Sequence, residues 1–270
     1  MVVQHNISAM NTNRQLGITG GDFAKSTEKL SSGYRINRGA DDAAGLAISE
    51  KMRSQIRGLN KASTNAEDGI SLVQTAEGAL NEAHDILQRM NELSTQAAND
   101  TNTTTDRDAI QHEMDQLTSE IDRIASTTQF NTMNLLDGNF TGKNLQVGAL
   151  CGQKIELKIS SMNSTGLNIT GLKVSSFSEA GAAMSKVQSA IDQVSAQRAE
   201  LGAIQNRLEH TIKNLDTTSE NTQAAESRLR DTDMAEEMVR YSKNNILQQA
   251  GQSMLAQANS QNQGVLSLLG

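Results

Sequence analysis

Between Asp41 and Asn99 the apolar residues Met52, Ile56, Leu59, Ala66, Ile70, Val73, Leu80, Leu87 and Met90 are separated only by steps of three, four or seven. Such steps keep side chains on one face of an α-helix. Asp41 or Asp42 can cap the first turn, and the polar run 99–105 interrupts the stripe. About 58 residues at 1.5 Å rise make a rod of about 87 Å, too long for an ordinary globular domain. No proline occurs anywhere to break it. Aromatic residues make up only 2% of the chain, with no Trp, four Phe and two Tyr. A globular core normally relies on such rings, each burying about 150–250 Å². A chain without them has to bury area along helices packed side by side. We therefore expect a mainly α, elongated antiparallel helical bundle or coiled-coil rod.

Two further rods are expected. Ile110, Met114, Leu117, Ile121 and Ile124 step 4, 3, 4, 3, a coiled-coil seam for a helix over 106–128. Asp106 and Asp108 put negative charge at its N-terminal end, where the helix dipole favours it. Val187, Ile191, Val194, Leu201, Ile204, Leu208, Leu215, Ala225 and Leu229 mark a third helix over 178–229. It should run antiparallel to the first, over 42–98, and pack against both others. Between them, 130–176 changes period. Leu145, Val147 and Ala149 alternate, as do Ile155, Leu157 and Ile159, and Asp137–Gly138 and Cys151–Gly152 are turn signals. A small β-hairpin region is expected there. The rod domain is thus 41–229, flanked by terminal segments 1–40 and 230–270.

The ends read differently. Ala9, Leu16, Phe23 and Leu30 recur every seven residues, but Thr12, Thr19 and Ser26 occupy the companion positions. That stripe is too narrow to hold a helix in water. Residues 31–33 end it, and Arg35 and Arg38 follow in a connector. Asp233 with Glu236 suggests a capping box, ahead of a stripe at Met234, Met238, Tyr241, Leu247, Ala250, Met254 and Ala258. The chain closes on an apolar tail, 264–270. Paired terminal helices that complete their fold against other copies are expected. Ile7, Leu16, Phe23, Leu30, Met238, Leu247, Met254, Leu255, Val265, Leu266, Leu268 and Leu269 are the residues expected to pack there.

Catalytic and ligand chemistry is sparse. With 24 Lys and Arg against 31 Asp and Glu, the net charge is −7 without a basic patch, which disfavours nucleic acid and anionic membrane. No apolar stretch approaches the roughly 18 residues of a membrane span. The N-terminus lacks the charged and apolar regions of a secretory signal. Cys151 alone excludes an internal disulfide; beside Lys154 in a turn it is a reactive thiol or an incidental residue. His5, His84, His112 and His210 share no motif. HEMDQ at 112–116 starts like a zinc-protease string but has Gln116 at the second ligand position. GNFTGK at 138–143 is one residue short of a phosphate loop, and Asn144 stands where Ser or Thr should be. Asp100, Asn102 and Thr104 mimic the start of a calcium loop that Thr105 and Gln111 spoil. No nucleophile, base and orienting group come together. No catalytic residue, metal or cofactor is expected, and the chain reads as a non-enzyme.

Several strings carry a resemblance. LSSGYRIN at 30–37, DDAAGLAIS at 41–49, DGISLVQTAEGAL at 68–80, TQFN at 128–131 and LLDG at 135–138 closely resemble the N-terminal signature of bacterial flagellins. LGAIQNRL at 201–208, AESRLRD at 225–231, QQA at 248–250 and VLSLL at 265–269 resemble the C-terminal one. The resemblance implies a short flagellin without the outer variable domains. In it the terminal segments form the inner core of a helical homopolymer, the filament that drives motility, and the rods lie outside. It also implies an extracellular filament protein, exported without a cleaved signal by the flagellar export apparatus. Its partners would be a secretion chaperone, the filament cap and hook–filament junction proteins.

QRMNELSTQ at 88–96 resembles the stretch bound by the vertebrate flagellin-sensing Toll-like receptor, with Arg89, Leu93 and Glu113 as the matching contacts. Asn91 departs from the common Arg there. Further departures are the 261–264 run QNQG where many flagellins carry a proline, Gly270 for a terminal Arg, and Thr132 for a Gly. Competing readings are a hook–filament junction protein and a cytoplasmic coiled-coil scaffold. The first usually has a longer middle region, and the second predicts soluble ends.

Overall fold

The computed structural model describes residues 6–269, the side chains of 261–269 excepted. Five helices and four short strands follow in the order α1 (Ile7–Ser32), α2 (Ala43–Ala97), α3 (Thr104–Thr127), β1 (Gln129–Phe130), β2 (Met133–Asn134), β3 (Lys143–Gln146), β4 (Lys154–Leu157), α4 (Phe177–Arg230) and α5 (Met234–Leu269). The fold is mainly α, as the periodicity requires. The chain divides into two compact units, Gln55–Glu220 and the two flanking parts of the chain. The division falls inside α2 and α4 rather than in the connectors at 33–42 and 231–233.

Within Gln55–Glu220, α2 and α4 run antiparallel. Ser63 Oγ donates to Asp216 at 3.1 Å, and Ser219 Oγ donates to Asn60 at 2.7 Å. Leu80, Leu87, Met90 and Leu93 of α2 meet Met114 and Ile121 of α3 and Val187, Val194, Leu201 and Leu208 of α4 in one buried core. The start of α3 is fixed by a reciprocal cap. Asp106 accepts from the Thr103 amide at 2.9 Å and its hydroxyl at 2.7 Å, and the Asp106 amide donates back to Thr103 Oγ1. The Thr103 hydroxyl, then the amide, hold the Asp106 carboxyl below its ordinary value.

The region between α3 and α4 departs from a single hairpin. It holds two antiparallel pairs, β1–β2 and β3–β4, followed by an irregular stretch, 158–176, with turns at 164–168 and 170–171. Burial alternates along Lys154, Ile155, Glu156, Leu157, Lys158 and Ile159, so one face of β4 and its extension enters the core. Past β4 the backbone pairing shifts to the segment before β3: the Ile159 amide donates to the Phe140 carbonyl and the Met162 amide to the Leu136 carbonyl, each at 2.9 Å. Helix side chains take up further backbone groups of this stretch. Gln197 accepts from the Ser160 amide and donates to the Lys158 carbonyl, Asp122 accepts from the Ser164 amide and hydroxyl, and Gln111 bonds the Leu172 carbonyl and Val174 amide. Each clamp satisfies backbone groups that would otherwise be left open.

Asn131 and Thr132, with φ 47° and 64°, form the two-residue turn between β1 and β2. Both residues of this mirror-image turn need positive φ, which a β-branched side chain resists. Thr132→Gly should raise the unfolding free energy by about 1 kcal/mol, measured by urea denaturation; a neutral or negative change would refute the strain.

Candidate assembly surface

The terminal helices are paired antiparallel. Asn6 caps α1 by accepting from the Ala9 amide at 3.0 Å, and its Nδ2 donates to the Ala258 carbonyl of α5 at 2.9 Å. A Cβ on Gly251 would stand 3.1 Å from Leu16 Cδ1, so a small residue is needed where α5 passes that leucine. Phe23 and Tyr241 bring their ring centres to 4.9 Å, tilted by 30°. Asp233 begins α5 by accepting from the Ala235 and Glu236 amides; Glu236 turns away to Arg240 at 2.6 Å, leaving only half of the expected capping box.

This pairing sorts the residues expected to pack against other copies. Leu16, Phe23, Leu30 and Leu255 are half-buried, and their main contact is the partner helix of the same chain. Ile7, Met238, Leu247 and Met254 face outward, more than 45% exposed each. Val265, Leu266, Leu268 and Leu269 lie on α5, but their side chains fall outside the described residues.

The exposed set is larger than the sequence stripes suggested. Met10 and Ile18 on α1, and Val239 and Ile246 on α5, are also open, as is Met234 of the expected stripe. At about 100° per residue, Val239 and Ile246 point directly away from α1, while Met234 with Met238 and Leu247 with Met254 lie on the two flanks. A search for one stripe misses such a helix, because its apolar residues surround it. The available signal was the pair of seven-residue repeats, Val239–Ile246 and Leu247–Met254. An apolar side chain on every sector except the one covered by α1 is the mark of a helix that ends up enclosed.

Behind the pair lies a joint. The Arg35 amide donates to the Arg230 carbonyl at 2.6 Å and the Thr232 amide to the Gly33 carbonyl at 3.0 Å, zipping the two connectors together around Tyr34 and Asp231. Gly33 sits at φ 74° as the cap of α1, its amide on the Lys29 carbonyl. The Arg230 guanidinium stacks 4.8 Å from the Tyr34 ring centre and Arg53 lies at 5.8 Å. Arg230 also reaches Glu50 at 2.8 Å, and Arg53 reaches the buried Glu226 at 3.6 Å. The first turns of α2 and the last of α4 are thereby bound to the connectors, which explains why the unit boundary falls inside the helices.

The receptor-like residues form a third location. Arg89 pairs with Glu113 across α2 and α3 at 3.0 Å and with Glu92 at 3.1 Å, on the surface. The Glu113 hydrogen bond, then that from Glu92, raises the Arg89 pKa. Leu93 is different: it is 1% exposed, part of the core between the rods. It presents no side-chain surface, which corrects its assignment as a direct contact.

The remaining motifs have ordinary settings. His112 and Glu113 are exposed on α3, Asp100 pairs with Arg107 at 3.1 Å, and Asp137 accepts from the Asn139 amide in the turn leading to β3. Among the described residues no three His, Cys, Asp or Glu side chains gather in reach of a metal. No described helix is long and apolar enough to cross a membrane. Cys151 is free and exposed in the β3–β4 loop.

The bacterial flagellin N-terminal helical region matches residues 3–141, and the bacterial flagellin C-terminal helical region matches residues 184–269. The chain belongs to the flagellin family. A flagellin of Halalkalibacterium halodurans is 54% identical over 271 residues, covering 100% of both chains. The flagellar filament 31.3 kDa core protein of Treponema maltophilum is 50% identical over 285 residues, again 100% of both. A crystal structure of Bacillus cereus flagellin superposes with a TM-score of 0.51 at 34% identity, covering 60% of this chain and 94% of that one. The interval between the two matched regions contains β3, β4 and the clamped irregular stretch. No further domain is inserted there, so this is a short-form flagellin.

The joint gives a test of how this flagellin fold is held. Arg230→Ala removes the stack on Tyr34 and the bond to Glu50, and should lower unfolding stability by about 2 kcal/mol. Hydrogen exchange should then rise first at the Arg35 and Thr232 amides; unchanged protection there would show that the zipper does not depend on the guanidinium.

Proposed function

We propose that the chain is a structural subunit that polymerises with copies of itself into a bacterial flagellar filament. The observation that carries this is the apolar surface on α5, which the pairing with α1 covers on only one side. Relatives that match from end to end include one named as a flagellar filament core protein. On this reading the segments 1–40 and 230–270 form the inner core of the filament and 41–229 lies outside it. A contact between unlike faces whose rotation does not close into a ring generates a helix of subunits. Burial at about 25 cal/mol per Å² drives the polymer and is opposed by the ordering entropy of the ends.

The role is mechanical and not enzymatic. The filament lies outside the cell, and the subunit reaches it through the flagellar export apparatus without a cleaved signal, escorted by a secretion chaperone and received by the cap beyond the junction proteins. Electron microscopy of monomer mixed with short filament seeds tests the central claim. Wild-type protein should extend the seeds, whereas Val239→Asp combined with Ile246→Asp should fail even at about tenfold higher concentration. Equal growth of that variant would refute assembly through this face.

A second role is recognition of the monomer by the vertebrate flagellin-sensing Toll-like receptor. The surface pair Arg89–Glu113 supports it, with Leu93 acting from below by holding α2 in place. Arg89→Glu should weaken binding to the receptor ectodomain by about tenfold, read by surface plasmon resonance, with folding unchanged. Leu93→Ala should instead destabilise the fold by about 3 kcal/mol. Unaltered affinity of the Arg89 variant would remove this role.

A further inference from the structure

The charge of the chain is unevenly divided. Gln55–Glu220 carries 13 Lys and Arg against 21 Asp and Glu, a net −8, while the flanking parts carry 11 against 10. Within Gln55–Glu220 the acids and bases are again separated. No basic residue occurs on α2 between Lys61 and Arg89, but Glu67, Asp68, Glu77, Glu82 and Asp85 do. At about 100° per residue, Glu67, Asp68, Glu82 and Asp85 share a sector about 100° wide, opposite the buried stripe Ala76, Leu80, Ala83 and Leu87. Ser71, Thr75 and Gly78 complete that face, and a Cβ on Gly78 would meet nothing within 4 Å. The stripe is about 27 Å long, and none of these acids makes an ion pair among the described residues.

Four of the thirteen bases of the same unit lie on a different wall, the segment between α3 and α4. Residues 128–176 contain four lysines, Lys143, Lys154, Lys158 and Lys173, against Asp137 and Glu156. All four lysines are exposed, and none makes an ion pair among the described residues. Their height along the rod is fixed by backbone contacts. Lys154 lies across the β3–β4 ladder from Gln146, whose carbonyl accepts from Asn65 Nδ2 at 3.1 Å. The Lys158 carbonyl accepts from Gln197 Nε2 at 3.3 Å, and the neighbouring Arg198 lines a groove with Glu77 and Glu82. Lys154 and Lys158 therefore occupy the same stretch of the rod as the acidic stripe.

We propose that these two walls are complementary faces, the lysine wall of one copy packing beside the α2 acidic stripe of the next. The proposal rests on the filament reading and gives its lateral contact a chemistry. The faces are unlike and lie on one subunit at one height, so each copy can offer one to each neighbour, and the contact propagates wherever its rotation does not close into a ring. Single exposed ion pairs are weak, but a row of them fixes register and excludes like-charged alignments.

Seeded growth separates this contact from a general effect of net charge. Four proteins are compared, with helicity checked by circular dichroism: wild type, Lys154→Glu with Lys158→Glu, Glu67→Lys with Glu82→Lys, and all four changes together. Each paired reversal should raise the critical concentration about tenfold, and the combined variant should return to within about twofold of wild type. If only net charge mattered, Glu67→Lys with Glu82→Lys, being less acidic, would assemble at least as readily as wild type. That result, or a combined variant no better than the worse parent, would overturn the proposal. Wild type that fails to extend seeds would remove the filament reading and this contact with it, whereas wild-type growth with unimpaired variants would remove the contact alone.

Discussion

A helix with apolar side chains on several sides cannot satisfy them against one partner. α5 is such a helix: α1 covers one sector, and Met234, Met238, Val239, Ile246, Leu247 and Met254 remain open on the others. α1 adds little stability of its own. Gly17, Gly20 and Gly21 lie in its interior with no atom placed where a Cβ would stand, and each costs about 1 kcal/mol relative to alanine in a helix. On the filament reading, other copies supply the burial that this pair lacks, so that folding of the ends is linked to polymerisation.

The rod shows the opposite economy. None of the six aromatic residues lies in the seam between α2, α3 and α4: Phe23 and Tyr241 join α1 to α5, Tyr34 sits at the joint, Phe130 and Phe140 belong to the covering segment, and Phe177 is exposed. The seam is built from Ala, Val, Leu, Ile and Met, which let long helices approach closely and evenly. Stacking on Tyr34 and the buried Glu226 then concentrates polar interactions where connectors meet helix ends. The rod is thus held by small aliphatic contacts and the joint by guanidinium contacts.

The rods were legible in the sequence because nearly all their core steps are three, four or seven, and lack of proline removes every alternative break. The irregular stretch after β4 was not. The alternation at Ile155, Leu157 and Ile159 is that of a strand, but past β4 the backbone partners are the Phe140 and Leu136 carbonyls together with the side chains of Gln111, Asp122 and Gln197 on two helices. The joint was equally hidden: Arg35 was noted only as a connector residue, and its pairing with the Arg230 carbonyl spans most of the chain. Heptad reasoning found Ile7, Met238, Leu247 and Met254 but overlooked Val239 and Ile246, since a moment-like search rewards one-sided helices. Leu93 was assigned to a surface on resemblance, where its place in the three-four spacing with Met90 and Ala97 already put it inside.

Charge distribution completes the logic of assembly. Residues 244–270 contain no charged side chain, and the flanking parts together are nearly neutral. In the arrangement proposed above, copies crowded around a common axis would otherwise face like charges at short range in a medium of low dielectric, where repulsion is strongest. The acidic excess is displaced to Gln55–Glu220, where water and salt can screen it. Apolar burial at the ends can therefore supply the driving force, while charge on the rods supplies orientation. Each effect is confined to the part of the molecule in which its own physics is effective.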